Sequence, residues 1–151
     1  MIEQIWINPE IGIPNKRVTE IQVVAGSGIV GDHNFNKSQW IGQNITFIER
    51  EKILQYNKDY GQNIEMGATR RNIVTKGIDL NALVDKEFSI GDVRFKGVDL
   101  CEPCKDLGQA LATDTITSPE VVKAFLTWGG LRANILQDGQ LSVGMSFEVQ
   151  L

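Results

Sequence analysis

Histidine occurs once in this chain, cysteine twice, and no apolar run is long. Each scarcity removes a class of function. A structural zinc site takes about four Cys or His ligands. Cys101, Cys104 and a distant His33 do not make one, so no zinc is expected. Nothing approaches the ~18 apolar residues of a membrane span. The N-terminal MIEQIWINPEIGIP has no basic segment ahead of an apolar core, so neither a signal peptide nor a membrane association is expected. Positive charge is not in excess: the net charge is −4. No general attraction to nucleic acid or anionic lipid follows, and any anion site must be local. These traits lead to the expectation of a cytoplasmic protein. Thiols stay reduced there, which argues against a structural Cys101–Cys104 disulfide.

What is present suits one domain over residues 1–151, long enough for a core without metal or disulfide staples. Runs rich in β-branched residues predict strands at 4–7, 18–24, 43–49, 69–77, 88–100, 131–136 and 141–151, with a Gly-Asp turn inside 88–100. AGSGIVGDHNF (25–35) reads as a glycine-rich loop. Helices are expected over 50–61 with Gly61 as its stop, briefly after the cysteines in KDLGQAL, and over 118–130. In the last, Ser118 reads as N-cap, Pro119 as the first helical residue and Gly129-Gly130 as the stop. Strands outnumber helices and regular βαβ alternation is missing. The expected class is therefore mostly β (a β-rich α+β fold), barrel-like, with a few short helices. RRNIV…FSIGDVRF and RANIL…LSVGMSF echo each other. Similar strand-turn-strand geometry accounts for this; the alternative is two equivalent half-barrels with Arg70 and Arg132 at comparable positions.

Three segments could carry chemistry. The first is VDLCEPCKDLGQAL. A thioredoxin-type dithiol would need a parallel crossover pattern that is not evident, and two inert buried thiols are the plain alternative. Pro103 stiffens the turn before Cys104, and a helix starting at KDLGQAL would put Cys104 at its first turn, beside Lys105. Glu102 and Asp106 oppose that. Cys104 is therefore favoured as the chemical residue and Cys101 as its packed neighbour. The second segment is ATRRNIVTKG. As a strand it would place Arg70 and Asn72 on one face and Arg71 on the other. Arg and Asn donors suit a phosphate or a pterin edge, while a rim salt bridge is the plain alternative. The third is GIVGDHNF, whose Asp32 and His33 sit on a loop that glycines let approach closely. A lone histidine is more often structural than catalytic. The glycines match neither a P-loop nor a dinucleotide fingerprint.

These segments, in this order, resemble a MOSC domain, named for the C-terminal domain of molybdenum cofactor sulfurase. The matching stretches are GIVGDHNF, ATRRNIVTKGIDLNALVDKEFSIGDVRFKGVDLCEPCKDL and GGLRANILQDGQLSVGM. The resemblance implies a barrel-like β fold and a reactive cysteine at the Pro-Cys position, Cys104. It implies handling of sulfur or of the molybdenum cofactor (molybdopterin), with Cys104 as the molybdenum ligand and N-hydroxylated compounds as reduction substrates. Arg70 and Asn72 fall on the family's Arg-x-Asn element, with Arg71 beside it, and Arg132 on its Gly-Arg element. Asp32 or His33 would assist proton delivery. The alternative role is that of a sulfur carrier holding a persulfide on Cys104. The implied partners are an electron-transfer protein or a cysteine desulfurase. The larger relatives' additional β-barrel, iron–sulfur and aminotransferase-like regions have no counterpart in these residues, so pyridoxal phosphate is not supported.

Overall fold

The computed structural model describes residues 1–37 and 44–149. Its strands are β1 (Ile2–Ile7), β2 (Lys16–Val18), β3 (Glu20–Val24), β4 (Gly28–Ile29), β5 (Ile45–Glu49), β6 (Ile73–Thr75), β7 (Glu87–Ile90), β8 (Val93–Leu100), β9 (Leu131–Ile135), β10 (Gly139–Ser142) and β11 (Phe147–Val149). Three short helices accompany them: α1 (Arg50–Tyr60), α2 (Lys105–Leu111) and α3 (Ser118–Ala124). A 3-10 turn spans Leu80–Leu83. Gln43 and the last residues of the 141–151 run lie outside the described residues.

The fold is mostly β, as its sequence predicts. Eight strands form one sheet in the order β11-β7-β8-β9-β5-β6-β1-β2, and β10-β3-β4 form a second. The larger sheet curls. Ile2 N–H donates to Met145 O, and Gly144 N–H to Ile2 O, both at 2.8 Å. Those bonds bring β1, near one end of the order, to the turn that feeds β11 at the other end. Among the described strands one pairing is parallel, β5 with β6, and α1 is its crossover. The sequence shows no regular βαβ alternation, yet a single unit of this kind stands at the centre of the sheet.

Both faces of that parallel pair are buried, as parallel strands generally are. Phe47 and Ile73 enter the barrel-side core with Ile5, Phe88 and Phe95. Ile48 and Val74 point the other way, into a second core with Tyr56, Leu107, Val121 and Phe125 from the helices. The period-two alternation of a strand produces this split. Phe47 meets Phe88 and Phe95 edge-on, each with ring centroids 5.7 Å apart. Burying one such ring contributes about 1.5–3 kcal/mol.

Several local expectations change. The run 18–24 breaks at Thr19 into β2 and β3, and 141–151 divides between the two sheets. The N-cap of α3 is Thr117, not Ser118: the Thr117 side chain accepts Glu120 N–H while Glu120 reaches back, closing a capping box. Ser118 is instead a packing residue, and only a glycine at Gly108 lets α2 lie against it. The helix ends at Ala124, so Gly129-Gly130 do not stop it. They allow close approach. A Cβ on Gly129 would collide with the Cys101 carbonyl, and one on Gly130, at φ 105°, with the Phe47 carbonyl.

The largest local difference concerns 69–77. Only Ile73–Thr75 is strand. Residues 66–69 form a turn, closed by Arg70 N–H to Gly67 O at 3.0 Å, and Arg70 itself has φ 63°. A left-handed arginine costs about 1–2 kcal/mol. Strand alternation therefore does not decide which way Arg70, Arg71 and Asn72 face. Nor are Arg70 and Arg132 equivalent, since one follows a turn and the other lies inside β9.

Candidate functional site: a thiol beside two arginine-lined clefts

Strand β8 runs into Cys101-Glu102-Pro103-Cys104, and α2 starts one residue later. Cys101 continues the β8–β9 ladder, with its N–H donating to Gly130 O at 2.7 Å. Its side chain is 4% exposed. Cys104 is the N-cap of α2, in extended conformation, and it is exposed. Both thiols are free.

Burial pushes the Cys101 thiol above its ordinary pKa. Arg71 and Arg132 pull against that, Arg132 also by a hydrogen bond to the sulfur, and Asp99 adds slightly to the rise. Burial wins, so Cys101 stays protonated near neutrality. Arg132 is partly committed to Asp99, 3.9 Å away across the β8–β9 ladder.

Cys104 opens on a cleft of about 130 Å³ that Thr69, Arg70, Arg71, Asp106 and Leu107 help to line. Arg71 is fixed from behind: its Nε donates to Gly129 O at 2.8 Å and a terminal nitrogen to Thr69 O at 3.3 Å. The Thr69 hydroxyl is buried and has no hydrogen-bond partner among the described residues. Such groups are uncommon, because an unmet buried hydroxyl costs roughly 1–3 kcal/mol.

Arg70 also lines a second, larger cleft of about 520 Å³ with Ile11, Gly12, Ile13, Pro14 and His33. Asn15 Nδ2 donates to Gly67 O at 2.8 Å, tying the loop over 9–15 to the turn that presents Arg70. His33 Nδ1 lies 2.8 Å from Asn8 O. A carbonyl only accepts, so Nδ1 carries the proton and, in the neutral ring, Nε2 carries the lone pair. Asp32 turns inward. Its Oδ1 accepts Asn8 N–H at 2.7 Å and its Oδ2 accepts Asn34 N–H at 3.1 Å, with His33 Nδ1 3.9 Å from that second oxygen. It shapes the loop that holds His33.

Cys104, Arg70 and Arg71 thus stand together, and His33 is joined to them through Arg70. Among the described residues, Asn72 and Arg132 line neither cleft. The Asn72 Oδ1 accepts from Thr46 N–H and Thr46 Oγ1, both at 3.1 Å, and its Nδ2 donates to Trp6 O at 3.2 Å. Asn72 therefore bridges β5 and β1 where β6 begins. Sequence reading missed Thr69 and the apolar loop residues Ile11, Ile13 and Pro14. Thr69 adjoins the arginine pair, but an unpartnered hydroxyl has no sequence signature. NPEIGIPNK reads only as turn chemistry. No three His, Cys, Asp or Glu residues cluster as metal ligands among the described residues.

Fold and site together define a curled, mostly β domain with an exposed thiol at the edge of a cationic cleft. The MOSC domain family model matches residues 31–148, and the chain belongs to that family. No curated protein matches it in sequence. Among solved structures it is similar to the YuaD protein from Bacillus subtilis, at 18% identity and TM-score 0.84, over 98% of this chain and 93% of that one. YiiM from Geobacillus stearothermophilus aligns at 18% identity and TM-score 0.78, over 100% and 75%. YiiM from Escherichia coli aligns at 14% identity and TM-score 0.71, over 99% and 69%. At these identities the likeness is one of fold.

Proposed function

We propose that this MOSC-domain protein holds the molybdenum cofactor through Cys104 and reduces a small N-hydroxylated compound. The observation that carries the reading is the grouping of one exposed thiol, two guanidinium groups and an unpartnered buried hydroxyl around one cleft. The donor set fits such a group. A thiolate is a soft ligand suited to molybdenum, arginines suit a phosphate, and Thr69 offers a hydroxyl still in need of a partner. Cys104, Thr69, Arg70 and Arg71 would be the holding residues. Asn72 would act at one remove, by fixing the start of β6, and Arg132 by fixing the Cys101 turn against which Arg71 is set. When bound, the cofactor supplies the two-electron chemistry of reduction. His33 would hold a proton at Nδ1 against Asn8 and offer Nε2 to a protic group of the substrate. Electrons would come from a partner protein.

Reconstitution with the cofactor followed by elemental analysis tests this. Wild type is expected to retain about one molybdenum per chain and Cys104→Ser almost none. Equal retention would overturn the reading.

The exposure of Cys104 favours one other role, that of a sulfur carrier, because a protein donor could reach the thiol. Incubation with a cysteine desulfurase and cysteine would then add one sulfur by intact mass, lost in Cys104→Ser. No mass gain would remove this reading.

A further inference from the structure

From the larger cleft we infer that the loop over 9–15 is a specificity element, and that it selects neutral or anionic molecules with an apolar, ring-sized body and excludes cations. The inference rests on the reading above for treating this cleft as the substrate's. Its volume of about 520 Å³ lies in the range of small-molecule sites. One wall is apolar: Ile11, Ile13 and Pro14, with Ile11 84% exposed. Apolar side chains held out on a loop are stabilised when a ligand body covers them. Among the described residues, the polar side is made by Arg70 and His33. Both terminal nitrogens of Arg70 sit 3.4 Å from Ile13 O, a long contact that leaves most guanidinium donors without a partner among the described residues.

The charge balance of this cleft is one-sided. None of its described lining residues is a carboxylate. Glu10 belongs to the loop without lining the cleft, Asp32 is buried and held by two backbone N–H groups, and Asp106 lines the Cys104 cleft instead. A cation would meet Arg70 with no carboxylate among the described lining residues to offset the repulsion, whereas an anion or an electron-rich head gains a charge-assisted hydrogen bond. The ligand is thus an anionic or electron-rich head on an apolar ring.

Three probes with one ring and different charge test this on the cofactor-free chain: benzoate, benzamide and benzamidinium. Binding is read from the amide NMR shifts of Gly12, Ile13 and His33. Benzoate is expected to bind tightest and benzamidinium weakest, about tenfold apart, as for loss of one hydrogen bond to a charged group. Arg70→Asn removes the preference for benzoate over benzamide; asparagine tolerates the left-handed backbone there. Ile13→Asp is expected to weaken benzoate about tenfold while Ile13→Val keeps it. Equal affinity for benzoate and benzamidinium, an unchanged Ile13→Asp, or no shift with any probe at about 10 mM would each overturn the inference. Cys104 does not line this cleft, and the probes are read without cofactor. Failure to retain molybdenum and failure to discriminate charge are therefore separate results.

Discussion

Cys101 and Cys104 are separated by two residues and share a strand-to-helix turn, yet they face opposite surroundings. Cys101 is buried, backed by the Gly129-Gly130 pair and flanked by Arg71 and Arg132. Cys104 is exposed at the edge of a cleft whose cations are Arg70 and Arg71. Each thus has two arginines nearby, and cationic neighbours alone do not tell the two positions apart. Desolvation outweighs the two arginines at Cys101 and keeps it a thiol. Accessibility distinguishes Cys104. Arg71 stands between the two regions, bound to Gly129 on one side and lining the cleft on the other. The buried cysteine turn therefore acts as the rigid backing of the open one.

The contrast can be broken most severely at its backing. Gly130→Ala would force a side chain into the Phe47 carbonyl at a φ of 105°. A loss of about 3 kcal/mol or more is expected, measured by urea unfolding. A loss below about 0.5 kcal/mol would mean that the chains do not approach so closely. The next effect is chemical. In folded protein at neutral pH, iodoacetamide should label Cys104 on the order of a hundredfold faster than Cys101, the two becoming comparable in denaturant. Equal rates in the folded state would erase the distinction.

A smaller effect appears in alkali. Folding raises the Cys101 pKa, so the linked stability is complete below the ordinary thiol value of about 8.5 and is lost as pH rises through the raised value. Wild type should therefore lose stability above about pH 8.5 more steeply than Cys101→Ala, in urea titrations at stepped pH. Parallel slopes would show that burial does not control this thiol. The smallest effect is at Thr69. Replacing an unpartnered hydroxyl by a methyl of the same shape should stabilise the cofactor-free protein, so Thr69→Val is expected to gain about 1 kcal/mol. A loss of stability would reveal a partner for the hydroxyl and weaken its assignment to a ligand.

The architecture was largely legible in the chain. Gly61 stops α1 as expected, at φ 61°, and the Gly-Asp turn between β7 and β8 falls where the alternation breaks. These features are local: a left-handed residue favours glycine, and a hairpin needs a turn between apolar alternations. The arginine segment was misread because strand propensity at Ile73–Thr75 was extended backwards over a turn that only its tertiary tethers define. Those tethers are Asn15 to Gly67 and Asn8 to the Arg70 carbonyl. Ser118 lost the cap to Thr117 because both residue types cap well and packing against Gly108 decided between them.

By itself the sequence determined the mostly β character, the family, and which cysteine follows the stiffened turn, because propensities and short motifs act through neighbours in the chain. The tertiary structure alone decided that Arg70 joins the Cys104 cleft to the His33 cleft, that Asn72 faces Thr46 and Trp6, and that Thr69 keeps an unmet hydroxyl. Those outcomes depend on which distant backbone groups arrive beside each side chain. A carbonyl from Asn8, Ile13 or Gly129 carries no mark in its residue type that it will meet His33, Arg70 or Arg71. Hydrogen bonds to the main chain are set by where the fold puts it, and here they set the site.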